Sequence, residues 1–287
     1  MITSPIAIDH LLTHVESLDD AADLFHRMGF QLSPVSHIEA MGVVNRVVLM
    51  RPGVRDSANF IELMSVRDRS RLPASMAPVL SGPSRIGSMV LAAADIEALP
   101  RRIAAAGLHP APITRVRREW AIPGEQSVFP EFDVMLPVEA PLRFNACRYE
   151  NVELYRRSDW LAHPNGARRF SAVFAVAPDP QQLRFFESIL GIPARELQGG
   201  GLCFCDGHVR FEILTAAEAA ARVGIEHCTT PGPQYLGYEI EVDDLRALRA
   251  RLDRERVPYR MAAERRICID PETGLGNYIV FVQARQE

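Results

Sequence analysis

The sequence predicts an α+β protein built from four βαβββ modules that form two paired half-barrels. Four times along the 287-residue chain, an apolar strand-like run is followed by an acidic residue and an amphipathic helix. Further strand-like runs follow the first and the third of these helices. An internal repeat sets the architecture of a chain before any single motif does, so the repetition itself predicts the modular fold.

The first module shows the pattern most completely. Its strand-like run, residues 7–15, leads to an acidic helix start at Asp19. Apolar residues then recur at the spacing of one helix face: Ala21, Leu24, Phe25 and Met28. Three strand-like runs follow this helix, at residues 30–32, 43–49 and 59–64. The sequence therefore predicts one helix and four strands in this module.

The other three modules begin with similar apolar runs near Ile86, Phe170 and Tyr235. Their helix starts are acidic as well: Asp95, Asp179 and Asp243. We therefore predict an N-terminal half of two modules at 1–155, a linker at 156–168 and a C-terminal half of two modules at 169–287. The linker contains the run His-Pro-Asn-Gly-Ala at residues 163–167.

Composition limits the classes of partner. Hydrophobic residues make up 47% of the chain and charged residues 24%, which is typical of a globular protein with a full core. The net charge of −4 provides no basic field for nucleic acid or an anionic membrane. All 32 basic residues of the Lys and Arg count are arginines, which excludes lysine Schiff-base chemistry. We expect a small-molecule partner.

The expected location is the cytoplasm. The sequence has no run of about 18 apolar residues and no basic and apolar start typical of a signal peptide. Its five cysteines are odd in number and scattered, which argues against a disulfide framework and favours a reducing compartment.

Several segments together resemble the vicinal oxygen chelate superfamily, which includes glyoxalase I, extradiol dioxygenases and bleomycin-resistance proteins. The chain is most similar to the glyoxalase-like domain proteins of that superfamily. The resemblance covers essentially the whole chain, and the segments that carry it are residues 8–10, 18–22, 28–30, 42–46, 59–63 and 163–167. It implies the fold predicted above.

The resemblance also implies a divalent metal ion, Mg, Mn, Zn, Ni or Fe, at the mouth of a half-barrel. The family's first-strand histidine falls on His10 and its last-strand carboxylate on Glu62. Strand alternation places Ile8, His10 and Leu12 on one face. Phe60, Glu62 and Met64 share a face of the other strand in the same way. A direct hydrogen bond between His10 and Glu62, without a metal, stays open as an alternative.

Other candidate residues follow from the resemblance and from side-chain chemistry. His163, Tyr149 and Glu150 are candidate catalytic residues, and the last two are also candidate third metal ligands together with Cys147. The candidate pocket residues are His14, His37, Asn45, Arg46, Arg148 and Asn165. The positions equivalent to His10 in the later modules are Ser88, Ala172 and Gly237, which are poor ligands. The active site is therefore expected in the N-terminal half, with a degenerate C-terminal half.

Three functions are compatible with these residues. The leading hypothesis is a metal-dependent lyase, isomerase or hydrolase that stabilises an enolate or oxyanion of a small oxygenated substrate. The first alternative is an extradiol-type dioxygenase, which needs Fe(II) held by two histidines and a carboxylate. The second alternative is a metal-free binding or resistance protein. A homodimer is one expectation, because proteins of the superfamily often pair their modules between chains; the alternative is that the four modules of one chain close both half-barrels internally.

Overall fold

Two eight-stranded mixed sheets form the frame of the protein, one in each half of the chain. The computed structural model describes residues 6–122, 124–225, 228–229, 231–262 and 265–285. Each sheet contains the strands of two modules, and each module contributes one parallel strand pair. The predicted α+β fold with half-barrel sheets is confirmed.

The first sheet contains eight strands: β1 (Ile6–His14), β2 (Ser36–Ile38), β3 (Val43–Met50), β4 (Asn59–Val66), β5 (Arg85–Ala93), β6 (Ile113–Arg117), β7 (Glu131–Val138) and β8 (Phe144–Tyr149). Their order across the sheet is β2-β3-β4-β1-β5-β8-β7-β6. Strands β1 and β5 pair antiparallel where the two modules meet. The first strand of each module pairs in parallel with its last strand, so the two candidate metal-ligand positions lie on neighbouring strands.

The second sheet repeats this plan with strands β9 (Ala167–Val176), β10 (Arg195–Glu196), β11 (Leu202–Cys205), β12 (Arg210–Leu214), β13 (Gln234–Val242), β14 (Arg260–Ala262), β15 (Arg266–Ile269) and β16 (Tyr278–Gln283). Their order is β10-β11-β12-β9-β13-β16-β15-β14. Because the order matches that of the first sheet position by position, the two halves have the same topology.

The α-helices of the described residues are α1 (Leu18–Arg27), α2 (Leu99–Ala105), α3 (Ser158–Leu161), α4 (Phe186–Leu190), α5 (Ala216–Val223) and α6 (Leu245–Arg254). Helix α1 begins as the sequence predicts, because the Ser17 side chain caps it by accepting a hydrogen bond from the Asp20 amide. Its apolar face, with Leu24 and Phe25, is buried. No helix among the described residues has the length and apolar composition that a bilayer crossing needs.

One apolar core runs through both halves of the chain. Phe30 stacks on Phe281 with 6.1 Å between their ring centroids, and Phe144 meets Phe186 edge-on at 5.3 Å. The Asn59 side chain also exchanges two hydrogen bonds with the backbone of residue 170. The halves are therefore joined by side-chain packing and hydrogen bonds as well as by the linker.

A β-bulge in strand β1 corrects the predicted alternation. The pairing of β1 with β5 shifts by one residue between Ile8 and His10. Because an extra residue reverses the in-and-out pattern of a strand, Ile8 packs with Leu11 in the main core, whereas His10 and Leu12 line a cavity. The prediction that Ile8 and His10 share a face was therefore wrong.

Candidate functional site

A narrow, mainly apolar cavity lies inside the first half-barrel. Strands β1, β2, β4, β5, β6, β7 and β8 contribute to its wall, together with side chains from the segments between strands. The cavity leaves about 40 Å³ for the centres of water-sized molecules. Its polar lining includes His10, Glu62, Arg118, Asn145 and Tyr149. A few polar groups in an apolar wall are typical of a small-molecule site.

The bulge brings two consecutive side chains of β1 together. His10 Nδ1 lies 2.6 Å from Asp9 Oδ1. An ionised carboxylate only accepts hydrogen bonds, so Nδ1 is the donor to Asp9. The His10 ring stacks on Phe60 with 3.9 Å between centroids and an interplanar angle of 14°. Both contacts hold the imidazole so that its other nitrogen, Nε2, faces Glu62.

Asp9 is fully buried and accepts hydrogen bonds on both oxygens. Its Oδ2 accepts from the Ser57 hydroxyl at 2.8 Å and the Ala58 amide at 2.7 Å. Its Oδ1 accepts from the Tyr149 hydroxyl at 2.5 Å as well as from His10. Four donors compensate for the burial of this carboxylate, and they fix the position of the His10 ring.

Glu62 is the second buried carboxylate of the cavity. Its Oε2 lies 3.6 Å from His10 Nε2. Its Oε1 accepts a hydrogen bond from Asn45 Nδ2 at 2.6 Å and lies 3.4 Å from Arg118 Nη2. Asn45 reaches Glu62 because β3 and β4 pair antiparallel and place the two side chains diagonally across the strands.

Arg118 reaches the cavity from the segment that follows β6. Only 4% of this residue is exposed. Its guanidinium carbon lies 4.8 Å from the centroid of the Phe132 ring and 5.9 Å from those of Trp120 and Tyr155. Its Nε and Nη1 have no hydrogen-bond partner among the described residues. A buried cation with free donors is unusual in a folded protein.

The charges of this cluster balance one another. Burial disfavours the charged form of His10, but hydrogen bonds and charge from Asp9 and Glu62 outweigh it and raise the pKa of His10 above 6.5. Burial likewise opposes ionisation of Glu62, but the His10 hydrogen bond and the Arg118 charge outweigh it and lower the pKa of Glu62. The carboxylates of Asp9 and Glu62 therefore favour the protonated form of His10, and His10 and Arg118 favour the ionised form of Glu62.

These residues do not fit a metal ion. Asp9, His10 and Cys147 form a group of three donor atoms within 4.8 Å of one another, yet both Asp9 oxygens already accept two hydrogen bonds each. His10 Nε2 and Glu62 Oε2 provide only two donors, where a catalytic zinc has three protein ligands. The positive charge of Arg118 next to Glu62 opposes a divalent cation further.

The predicted site residues fall into three groups. His10, Glu62, Asn45 and Tyr149 meet in the cavity or at its wall. Tyr149 donates to Asp9, and burial together with the Asp9 charge raises its pKa well above 10. Because the Tyr149 hydroxyl donates its hydrogen bond to Asp9, this geometry suits positioning of the Asp9–His10 pair.

A second group lies outside the cavity lining. Glu150 and Arg148 form an ion-pair cluster with Arg115 and Asp133 at the edge of β7 and β8. The remaining members of this group are His14, which contacts the Gly82 carbonyl, His37, which lies in an exposed groove near Glu39, and Arg46 on β3. The cavity is lined by none of these residues, and their predicted roles stay predictions.

A third group connects the linker to the first module. His163 Nδ1 accepts a hydrogen bond from the Gln31 amide at 3.0 Å, and Nε2 donates to the Leu49 carbonyl at 2.7 Å. Burial lowers the pKa of His163 to about 4. Asn165 donates to the Met28 carbonyl in the same way. Both ring nitrogens of His163 are therefore occupied by backbone groups, and the residue does not line the cavity.

Sequence reasoning missed two members of the site. The alternation of a regular strand places Asp9 on the face opposite His10, and only the bulge turns it toward the ring. Arg118 lies in a run with Arg115 and Arg117, and this arginine pattern does not separate the buried arginine from the exposed ones. Its neighbours in sequence do offer one signal, since the nearby Trp120 provides a large aromatic surface.

The paired half-barrels and the enclosed polar cluster define the protein as one of the vicinal oxygen chelate type. The family model described as a glyoxalase-like domain matches residues 8–187, which is more than half of the chain. The chain therefore belongs to the glyoxalase-like domain family. No protein with a curated description matches it.

Solved structures that are similar to nearly the whole chain include a hypothetical protein, a synthase and a fusion protein. A hypothetical protein from Staphylococcus aureus matches with a TM-score of 0.64 and 11% identity, over 97% of this chain and 100% of that one. A triple mutant of 4-hydroxymandelate synthase from Streptomyces coelicolor matches with a TM-score of 0.54 and 12% identity, over 99% and 95%. At this identity, the likeness shows the fold alone.

The third similar structure is a longer protein, a fusion of a xylose isomerase-like TIM barrel and a 4-hydroxyphenylpyruvate dioxygenase. It matches with a TM-score of 0.55 and 12% identity, over 99% of this chain. The match covers 49% of that protein, so this chain spans about half of its length. Here too the likeness shows the shared fold.

Proposed function

We propose that this protein is an enzyme that binds a small oxygenated substrate in the cavity of the first half-barrel and transfers a proton through His10. The observation that supports this most directly is the Asp9–His10 pair, with 2.6 Å between Oδ1 and Nδ1 and with Nε2 facing a second carboxylate. An imidazole held by a buried carboxylate is a common arrangement for a general acid or base.

The charge balance decides the direction of the first proton transfer. The two carboxylates raise the pKa of His10, which favours the protonated imidazole, the form that can act as a general acid. Nε2 then donates its proton to a substrate oxygen, while Asp9 keeps its hydrogen bond to Nδ1. Glu62, held anionic by His10 and Arg118, can accept the proton that the substrate releases. Such a reaction belongs to the lyase or isomerase class.

The dioxygenase alternative has less support from the described residues. Fe(II) in such enzymes needs two histidines and a carboxylate, whereas His10 is the one histidine among the described residues that line the cavity. A metal-free binding protein is the second candidate function. The small volume of the cavity and its apolar wall favour it, because they suit enclosure of an apolar ligand.

A hydrogen-exchange assay separates these functions. Wild-type protein in D₂O is incubated with small 2-oxo acids, hydroxy ketones and aldehydes, and loss of the proton next to the carbonyl is followed by NMR. We expect exchange with at least one compound, lost in His10→Asn and kept in His109→Asn, whose histidine is exposed on a loop. Ligand-induced shifts without exchange in the wild type would favour the binding protein. The absence of both exchange and ligand-induced shifts would contradict both functions.

A further inference from the structure

We propose that Arg118 takes the place of the divalent metal in this cavity, and that its guanidinium binds a carboxylate or a similar oxyanion of the substrate. This inference deepens the proposed function and rests on the same cavity. It assigns the substrate to a class, small molecules with an apolar body and one anionic oxygen group.

The first argument is the charge beside Glu62. The carboxylate that the resemblance gives to a metal already faces Arg118 on Oε1 and His10 on Oε2. The Arg118 guanidinium therefore already provides a positive charge next to this carboxylate. A divalent cation would have to displace the guanidinium or be repelled by it.

The second argument is a comparison with the other half of the chain. At the equivalent carboxylate there, Arg222 Nε donates to Glu212 at 3.0 Å and Arg222 Nη2 donates to Glu239 at 2.8 Å. Arg210 reaches the same two carboxylates at 3.1 and 2.8 Å. Arginines therefore provide the positive charge at the centre of both half-barrels, in place of a metal.

The two halves differ in how many arginine donors are used. Arg222 donates to two carboxylates at 3.0 and 2.8 Å, and helix α5, which carries it, packs its buried residues Ala219 and Val223 into the apolar cluster of that half-barrel. Arg118 makes only one contact with a carboxylate, at 3.4 Å, and leaves Nε and Nη1 without a partner among the described residues. An arginine that served only to neutralise Glu62 would make the close pairing seen at Arg222.

Free donors on a buried arginine need an acceptor. Leaving a buried charged donor unpaired is costly, and the cavity wall is mainly apolar, with Val116, Phe132 and Val134 among its residues. The planar fork of a guanidinium matches the two oxygens of a carboxylate. The ligand chemistry that completes the cavity is therefore an anionic oxygen group next to Arg118, with an apolar body against the wall.

The test uses benzoate as the anionic probe and benzamide as its uncharged match. Buried Trp120 lies near Arg118 and reports binding by its fluorescence. We expect wild-type protein in EDTA to bind benzoate at least tenfold more tightly than benzamide. Elemental analysis after incubation with Mg, Mn, Zn, Ni or Fe(II) and desalting should find well under one metal ion per chain.

The matched variant is the double substitution Arg118→Met with Glu62→Gln, which removes both charges and leaves no unpaired carboxylate. We expect it to keep its fold by circular dichroism and to lose the preference for benzoate. If it does not fold, Arg118→Lys is used, and a weakened preference is expected because an ammonium cannot pair in the bidentate way.

Several results would overturn the proposal. These are stoichiometric metal in the wild type, no preference for benzoate over benzamide, or an unchanged preference in the folded double variant. Because these measurements need no turnover, they are independent of the exchange assay. Benzoate binding without exchange would contradict the proposed enzyme but not the anion-binding role of Arg118. Exchange without a benzoate preference would contradict the role of Arg118 but not the proposed enzyme.

Discussion

Asp9 and His10 are consecutive residues of one β-strand, yet Asp9 Oδ1 lies 2.6 Å from His10 Nδ1. In a regular strand these side chains point to opposite faces. The bulge between Ile8 and His10 removes that separation. A single irregularity in the backbone thus converts two adjacent polar residues into a hydrogen-bonded pair inside the cavity.

Replacing Asp9 should change the acidity of His10. In Asp9→Asn, the hydrogen bond and charge that raise the pKa of His10 are lost, so that pKa should fall. NMR titration of the His10 ring proton checks this, with Glu150→Gln at the exposed ion-pair cluster as the control. The variant should also lose about 1–3 kcal/mol of unfolding free energy, because four donors lose their carboxylate. An unchanged pKa of His10 would contradict the assigned pair.

Stability should depend on pH through His10. Its folded pKa lies above the ordinary value of 6.5, so the folded state binds this proton more tightly than the unfolded state. The stabilisation is fully present below about pH 6.5 and is lost as the pH rises through the folded pKa. Urea unfolding between pH 6 and 9 should show this decline in the wild type. The part of this decline that comes from the His10 proton should be absent in His10→Asn.

The contribution of His163 to stability should depend on pH in the opposite direction to that of His10. Its folded pKa is lowered to about 4 by burial, so its contribution is present above pH 6.5 and is lost as the pH falls toward 4. The largest loss is about 3 kcal/mol, since each pKa unit corresponds to about 1.4 kcal/mol. Urea unfolding at pH 4.5 and 7 should show a smaller difference in His163→Gln than in the wild type. Equal differences would argue against the buried neutral ring.

Arg222 should matter for stability and not for ligand binding. Arg222→Met leaves Glu212 and Glu239 with less positive charge nearby, and breaking a buried ion pair typically costs about 3–5 kcal/mol. Thermal unfolding should therefore occur at a lower temperature. Benzoate binding, measured below that temperature, should match the wild type, because Arg222 lies in the other half-barrel. A change in benzoate affinity would contradict this separation.

Local patterns carried most of the information about the fold. The first helix could be predicted because a capping serine, two acidic residues and an apolar stripe occur together at residues 17–28. The short strand β10, two residues long, and helix α5 were not predicted. Strand β10 has too few residues for a periodic pattern, and the alanine-rich segment of α5 was not assigned to any module.

The candidate site was predictable only in part. His10, Glu62 and Asn45 follow from strand position and family resemblance, and the structure brings these three together. His163 and Asn165 follow from the same resemblance, yet they hold the linker to the first module through backbone hydrogen bonds. A short polar motif does not indicate whether its side chains will bind a ligand or backbone groups.

The sequence by itself determined the four modules, because strand and helix periodicity and capping depend on residues that are near one another in the chain. The tertiary structure decided the chemistry of the cavity. The bulge that turns Asp9 to His10 depends on how β1 pairs with β5, whose residues lie 71 or more positions away from their partners. The position of Arg118 beside Glu62 depends on a contact between residues that are 56 positions apart in the chain. These contacts depend on pairing between distant parts of the chain, and local sequence patterns do not predict such pairing.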